Sequence, residues 1–142
     1  MYKKILLAVD LSEQTLALIA QGLRFSQKFG SELHLAHVIE PATVAYTDAP
    51  VGDFSSVQNQ MIQQTEQQLS HLATESGINP ARAHLLIGRI EPTLTEHINA
   101  LGCELVIVGS QSSNLSKIFF GSTSSSLLRS LECDLLRIYT AE

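Results

Sequence analysis

Residues 104–122 contain the residue types that are best suited to binding a small molecule in this chain. An apolar run ends in Gly109 and is followed by a serine-rich loop, which closes with Gly121, Ser122 and Thr123. Loops of this composition ahead of a helix expose backbone N–H groups and the positive end of the helix dipole, and both bind phosphate. The sequence leaves two interpretations: a phosphate-binding loop, or a surface loop whose hydroxyls form turns and helix caps.

The charge distribution favours an anion at this loop. Between residues 109 and 131 there is no Asp or Glu, although the chain is acidic overall, and the segment contains Lys117 and Arg129. A second polar group, Asp10, directly follows the first apolar run of the chain. Its carboxylate could accept hydrogen bonds from ribose hydroxyls, or it could cap the helix that follows.

The elements that must position these residues alternate regularly between strand and helix patterns. Short apolar runs predict strands at 4–9, 32–39, 83–87, 104–108 and 134–139. Apolar spacing predicts helices between them: from Asp10 or Ser12 to Gly30, at 56–76, from Pro92 to about residue 101, and at 122–131. The first two helices are predicted to bury, respectively, Leu16, Ile19, Ala20 and Leu23, and Val57, Met61, Thr65, Leu69 and Leu72. Residues 40–55 are predicted to form a long loop.

This order of elements predicts an α/β fold, in which a parallel sheet is covered by helices on both faces. The commonest arrangement places the first strand beside the fourth, where the winding reverses, and ligands bind at the carboxyl ends of the strands there. Asp10 and Gly109 stand at those two ends. They are therefore expected to open onto the same crevice.

The bulk properties exclude several classes of function. The 142 residues fit one domain, 1–142, and a formal net charge of −5 argues against nucleic acid as a partner. Apolar runs are too short to span a membrane, and the N-terminus resembles a strand rather than a signal peptide, so we expect a cytoplasmic protein. Cys103 and Cys133 are expected to be free structural thiols.

No catalytic or metal motif stands out. His34 and His37 are three residues apart on a strand, which sends their rings to opposite faces, and His71, His84 and His97 stand alone in the sequence. The sequence has neither a nucleophile-elbow motif nor a P-loop motif. We therefore expect no catalytic residue and no metal site.

In several ordered motifs the chain resembles the universal stress protein family over nearly its whole length. These motifs are Lys3–Ser12, His37-Val38, Gly88, Leu105–Ser110, Gly121-Ser122 and Cys133–Ile138. The resemblance implies an open five-stranded parallel sheet of order 3-2-1-4-5, Rossmann-like and similar to the adenine-nucleotide alpha hydrolases. It also implies a role in stress survival and a homodimer paired through the last strand.

In nucleotide-binding members of the family, the resemblance assigns Asp10 to the ribose, the backbone of Val38 to adenine, and the loop beginning at Gly109 to the phosphates. The family motif is Gly-x-x-Gly-x9-Gly-Ser/Thr. Here Ser112 occupies the second glycine position, and eight residues separate it from Gly121, one fewer than in the motif. The candidate site is completed by Ser122 and Thr123, with ATP or AMP as an optional ligand.

Three functions remain open on this basis. The first is a homodimeric stress-response sensor or scaffold, with adenine-nucleotide binding left open and weak ATPase activity at most. The second is a slow ATP hydrolase or nucleotide-gated switch, in which the 40–55 loop closes over the crevice. The third is an interaction protein without nucleotide. For the dimer, the residues of the last strand form an apolar edge that would be a liability if unpaired: Leu135, Leu136, Ile138 and Tyr139.

Overall fold

The computed structural model describes residues 1–41, 51–109 and 131–139, with the backbone alone at 51–55. The strands are β1 (Lys4–Ala8), β2 (Glu32–Ile39), β3 (Ala83–Ile87), β4 (Leu105–Gly109) and β5 (Asp134–Ile138). The helices are α1 (Thr15–Phe29), α2 (Val51–Glu75) and α3 (Ile90–Leu101), and a 3-10 turn, Pro80–Arg82, precedes β3. The five predicted strands are confirmed to within one residue at each end. The predicted helix at 122–131 lies outside the described residues, apart from its last residue.

All five strands run parallel in one sheet of order β3-β2-β1-β4-β5. In the middle of the sheet, Leu7 of β1 is paired with Leu35 of β2 on one side and with Ile107 of β4 on the other. The chain winds outward from β1 to β3 and then crosses to β4, so the winding reverses between β1 and β4. This confirms the predicted fold class and strand order.

Helices cover both faces of the sheet and form two hydrophobic cores. On one face α1 and α2 contribute buried residues, among them Leu18, Ile19, Leu69 and Ala73, which pack on Ile5, Leu7, Leu33 and Leu35. On the other face α3 contributes Leu94 and Ile98, which pack on Leu6, Ala8, Ala36 and Val106. No described helix is both long enough and apolar enough to cross a membrane.

The predicted buried stripe of α1 is confirmed for Ile19, which is buried, and for Leu23, which packs against the core, but it is wrong for Leu16 and Ala20. Leu16 is 60% exposed and Ala20 is exposed, whereas Thr15, Leu18, Gly22 and Ser26 are buried. Three of those four are small or polar, so apolar spacing did not reveal them. A Cβ on Gly22 would lie 3.3 Å from Leu7 Cδ2, which shows how closely the helix approaches the sheet.

The prediction for α2 was also wrong in part. The helix begins at Val51 instead of residue 56, and residues 42–50 of the predicted loop lie outside the described residues. Val57 and Met61 are 65% and 45% exposed, although both were expected to be buried, whereas Leu69 and Ala73 are buried. The part of α2 that packs on the sheet is therefore its C-terminal half.

Candidate functional site

Asp10, Val38 and Gly109 lie at the carboxyl edge of three adjacent strands, β1, β2 and β4. Asp10 and Gly109 share one small pocket, as the sequence predicted, and Val38 lies one strand away without lining it. Val38 is paired with Leu86 of β3 and packs toward the α3 face. The residues that line the pocket are Ala8, Asp10, Ser12, Gln14, Thr15, Leu18 and Gly109.

The loop after β1 is shaped by side chains that bond to its own backbone. Asp10 Oδ1 accepts a hydrogen bond from the N–H of Ser12 at 3.0 Å, and Ser12 Oγ accepts one from the N–H of Gln14 at 3.3 Å. Between them, Leu11 has a φ of +60°, which is unusual for a residue with a branched side chain. This compact turn aims Asp10 at the mouth of the pocket.

The expected cap of α1 by Asp10 or Ser12 was wrong. The residue ahead of the helix is Gln14, and its side chain makes no capping hydrogen bond. Asp10 and Ser12 instead bond within the turn that precedes it. Oδ1 of the Asp10 carboxylate therefore accepts a hydrogen bond within the turn, whereas Oδ2 accepts none of the hydrogen bonds described for that turn.

The strand ends at the site are tied together by backbone and imidazole hydrogen bonds. The N–H of Val9 donates to the carbonyl of Ala36 at 2.9 Å, and His37 Nδ1 lies 2.8 Å from the carbonyl oxygen of Val9. The N–H of Gly88 donates to the carbonyl of Ile39 at 3.0 Å. These bonds continue the sheet beyond its regular strands, up to the residues that border the crevice.

Gly88 must be glycine where it stands. Its φ is +149°, and a Cβ there would collide with Thr93 Oγ1 on the first turns of α3. The family resemblance singled out this position as the start of the third crossover. The structure supplies the reason, because the chain turns there from β3 into α3 against the helix itself.

The described lining of the pocket suits a hydroxyl-bearing ligand better than a phosphate. Among the described lining residues Asp10 is the charged one, and a carboxylate accepts hydrogen bonds but repels an anion. Thr15, which sequence reasoning missed, also lines the pocket, is 4% exposed, and its Oγ1 has no partner in the described part of the chain. Carboxylate and hydroxyl oxygens are typical partners of a ribose.

The remaining predicted site residues cannot be compared with the structure. Ser112, Gly121, Ser122 and Thr123 lie outside the described residues, as do Lys117 and Arg129. The loop that was expected to hold phosphate thus stays a prediction from sequence.

A histidine cluster on the α3 face was also missed. His84 and His97 were expected to stand alone, but they meet His34 between β2, β3 and α3. Burial, followed by the neighbouring His97 and His34, lowers the pKa of His84 to about 4, and burial likewise lowers the pKa of His97. His34 is 50 residues from His84 in the sequence, and His84 and His97 belong to different elements, so no local pattern links the three rings. In the described ranges no group of three or more His, Cys, Asp or Glu is arranged to hold a metal ion.

Both cysteines are free thiols on the α3 face of the sheet. Burial is the main cause that raises the pKa of Cys103 to about 12 and that of Cys133 to about 11. A thiol that stays protonated at neutral pH is a poor nucleophile. Their geometry thus fits the structural role that the sequence predicted.

A family model and a named relative both assign the chain to the same family. A model described as the Universal stress protein family matches residues 1–138. A protein of Haemophilus ducreyi named Universal stress protein A homolog is 32% identical over 136 residues, which cover 96% of this chain and 95% of that protein.

Solved structures show the same fold at low sequence identity. A universal stress protein in complex with cAMP has a TM-score of 0.64 and 17% identity, and the match covers 99% of each chain. The universal stress protein from Archaeoglobus fulgidus in complex with dAMP has a TM-score of 0.57 and 14% identity, and the match covers 96% of this chain and 98% of that chain.

Proposed function

Because the chain belongs to the universal stress protein family, we propose that it is a cytoplasmic, homodimeric stress-response protein that binds an adenine nucleotide and acts as a sensor or scaffold. The observation that carries the nucleotide part is the pocket shared by Asp10 and Gly109 at the carboxyl ends of β1 and β4. It lies where the winding of the sheet reverses, and ligands of open α/β sheets bind at such points. Two solved universal stress proteins with the same fold are complexes with cAMP and with dAMP, respectively.

In the proposed complex the ribose lies against Asp10. One carboxylate oxygen holds the turn through the N–H of Ser12, and the other is left to accept a ribose hydroxyl. Adenine lies toward the backbone of Val38, one strand away. The phosphates are proposed to contact the loop that follows Gly109, which contains Ser112, Gly121, Ser122 and Thr123. There, backbone N–H groups and hydroxyls would donate hydrogen bonds, and Lys117 and Arg129 would supply positive charge.

The experiment is calorimetric titration of the purified chain with AMP, ATP and cAMP. We expect saturable binding at or below millimolar nucleotide, and no binding at that concentration would refute the proposal. The variant Gly121→Asp places a carboxylate in the phosphate loop and is expected to weaken ATP more than AMP, since ATP carries more negative charge. The matched variant is Gly30→Asp, at the far end of α1, where the backbone is left-handed, a conformation that Asp adopts more readily than most residues. It is expected to leave both affinities unchanged.

A second candidate, an interaction protein without nucleotide, is favoured by one observation. The described lining of the pocket offers a carboxylate and no cation, and Ser112 stands where the family motif has a glycine. Titration distinguishes the two candidates directly. An interaction protein without nucleotide would still form the dimer but would not bind AMP. Neither candidate function includes hydrolysis of ATP. If a preparation hydrolyses ATP and Gly121→Asp leaves the rate unchanged, the hydrolysis is due to a contaminant.

The proposed dimer forms through the outer edge of β5, which is the last strand of the sheet on that side. Leu135, Leu136 and Ile138 are half-buried in the two cores of their own chain, whereas Tyr139 is 76% exposed just beyond the strand. An edge strand presents a row of backbone donors and acceptors to a partner. Antiparallel pairing with β5 of a second copy would satisfy them and cover Tyr139.

A further inference from the structure

Three histidines from three different elements meet on the α3 face of the sheet. His34 of β2 and His84 of β3 are stacked with ring centroids 5.1 Å apart and an interplanar angle of 14°. His34 Nδ1 lies 2.8 Å from His84 Nε2, and the centroid of His97 on α3 lies 4.6 Å from that of His84. His34 is 5% exposed, and the Nε2 atom of His97 is buried without a partner among the described residues.

Hydrogen-bond chemistry fixes how many protons this cluster can hold. His34 Nε2 is 2.6 Å from Glu32 Oε1, so this nitrogen carries a hydrogen and donates a hydrogen bond to the carboxylate. In the neutral His34 ring, Nδ1 is then an acceptor, and it accepts a hydrogen bond from the N–H at His84 Nε2. If His34 becomes a cation, Nδ1 donates instead and His84 Nε2 accepts. The 2.8 Å bond therefore survives one added proton.

A second added proton cannot be accommodated by exchanging donor and acceptor in this hydrogen bond. With both rings cationic, two N–H groups would face each other across 2.8 Å, with no lone pair between them and with like charges in contact. The bond must break, and the two rings must separate.

The charged and titratable groups around the cluster do not remove this conflict. Glu32 of β2 is already shared between His34 and Arg82, whose Nη2 lies 3.7 Å from Oε2. From β1, Lys4 donates to the carbonyl of Leu101, and near it Cys103 stays a neutral thiol. On α3 the residues one turn away from His97 are uncharged: Thr93, Leu94, Ala100 and Leu101. Among the described residues, these surroundings contain one carboxylate, Glu32, and two cations, Lys4 and Arg82, and the two cations oppose further positive charge.

We propose that His34, His84 and His97 form an acid-sensitive latch between the edge strand β3 and helix α3, which stays closed with one added proton and opens with the second. Because His84 contacts both His34 and His97, a His84 ring that is pushed away from His34 moves against His97. Opening therefore separates α3 from β3 at the edge of the sheet, while the central strands β1 and β4 stay paired. The lowered pKa values of His84 and His97 agree with this order, since burial and the neighbouring rings already disfavour their cationic forms. With a pKa of about 4 for His84, opening belongs near that pH.

The test is amide hydrogen exchange of the full chain at neutral pH and near pH 4, corrected for intrinsic exchange rates. We expect protection in β3 and α3 to fall at least about tenfold more than protection in β1 and β4. His84→Gln keeps a donor at the position of Nε2 but cannot take up a proton, and it is expected to abolish the selective loss. His71→Gln is the matched control, because His71 is an exposed ring on α2 that should leave the loss intact. A uniform loss over all strands, or the same selective loss in His84→Gln, would overturn the latch.

A second measurement keeps the proposal testable if His84→Gln does not fold. NMR titration of the imidazole Cε1–H signal of His84 in the unaltered chain should show a transition near pH 4, well below the ordinary value, together with a change in the signals of β3 and α3. A single-step titration of His84 near the ordinary value of about 6.5 would overturn the proposal.

Discussion

His37 Nδ1 lies 2.8 Å from the carbonyl oxygen of Val9 and donates a hydrogen bond to it, since a carbonyl can only accept. The N–H of Val9 donates in turn to the carbonyl of Ala36 at 2.9 Å. Both polar groups of the residue before Asp10 are therefore held by β2. The candidate ribose carboxylate stands on a backbone that cannot shift without breaking one of these bonds.

Replacing His37 should loosen this anchor. His37→Phe leaves the carbonyl of Val9 without the imidazole donor, and we expect a loss of about 1 kcal/mol in the free energy of unfolding. Urea unfolding followed by circular dichroism measures it. His71→Phe, at an exposed position on α2, is the control and should change stability by less than half as much. Equal losses in the two variants would show that the bond to Val9 contributes nothing specific.

Neutralising Asp10 should weaken nucleotide binding without harming the fold. Asp10→Asn keeps an oxygen acceptor for the N–H of Ser12 but reduces the strength of a hydrogen bond from ribose, because bonds to a charged acceptor are about twice as strong. We expect the Kd for AMP to rise about tenfold. Glu13→Gln removes the same charge from an exposed neighbour and should leave the Kd unchanged. Equal weakening in both variants would indicate a general charge effect instead of a ribose contact.

The fold could be predicted from the sequence because its strands are short apolar runs bounded by glycine, proline or polar residues. Such runs leave one interpretation, and β2 and β3 were predicted residue for residue. The buried faces of the helices were harder. α1 packs on the sheet through Thr15, Gly22 and Ser26, which carry no apolar signal, and apolar Leu16 points away from it.

Only those features of the candidate site that follow from the sheet topology could be predicted from the sequence. Parallel strands put the residues after β1 and β4 at one edge, which predicts that Asp10 and Gly109 approach each other. The turn that holds Asp10 depends on local hydrogen bonds and on the left-handed backbone of Leu11, which no pattern of residue types discloses. The contact between His34 and His84 depends on strand pairing between residues that are 50 positions apart in the sequence.

The cysteines should react slowly in the native protein. Burial raises the pKa of Cys103 to about 12 and that of Cys133 to about 11, so little thiolate exists at pH 8. With iodoacetamide at that pH we expect alkylation at least about a hundredfold slower than in urea, where ordinary thiol pKa values return. Mass spectrometry of tryptic peptides separates the two sites. Native rates close to the unfolded rates would contradict the burial of both thiols.

A buried hydroxyl on α3 should reduce stability. Thr95 is 8% exposed, and its Oγ1 has no hydrogen-bond partner within the described part of the chain. Thr95→Val replaces this hydroxyl with a methyl group of the same shape, and we expect stability to rise by about 1 kcal/mol. The control is Thr65→Val on α2, where Oγ1 donates to the carbonyl of Met61 at 2.8 Å, so that no gain is expected. A gain in both variants would reflect β-branched packing in general.

The proposed dimer is best tested at Tyr139. This ring is 76% exposed beyond the end of β5, so its replacement should leave the monomer fold intact, whereas a carboxylate there would be brought close to its symmetry mate across an antiparallel β5 pair. We expect Tyr139→Glu to raise the dimer dissociation constant at least about tenfold in sedimentation equilibrium. Leu16→Glu changes another exposed apolar residue, on α1 and away from the β5 edge, and should leave the dimer unaffected. If the unaltered chain sediments as a monomer at micromolar concentration, the edge of β5 is not an interface. If Leu16→Glu alone dissociates the dimer, the interface includes the exposed side of α1 instead.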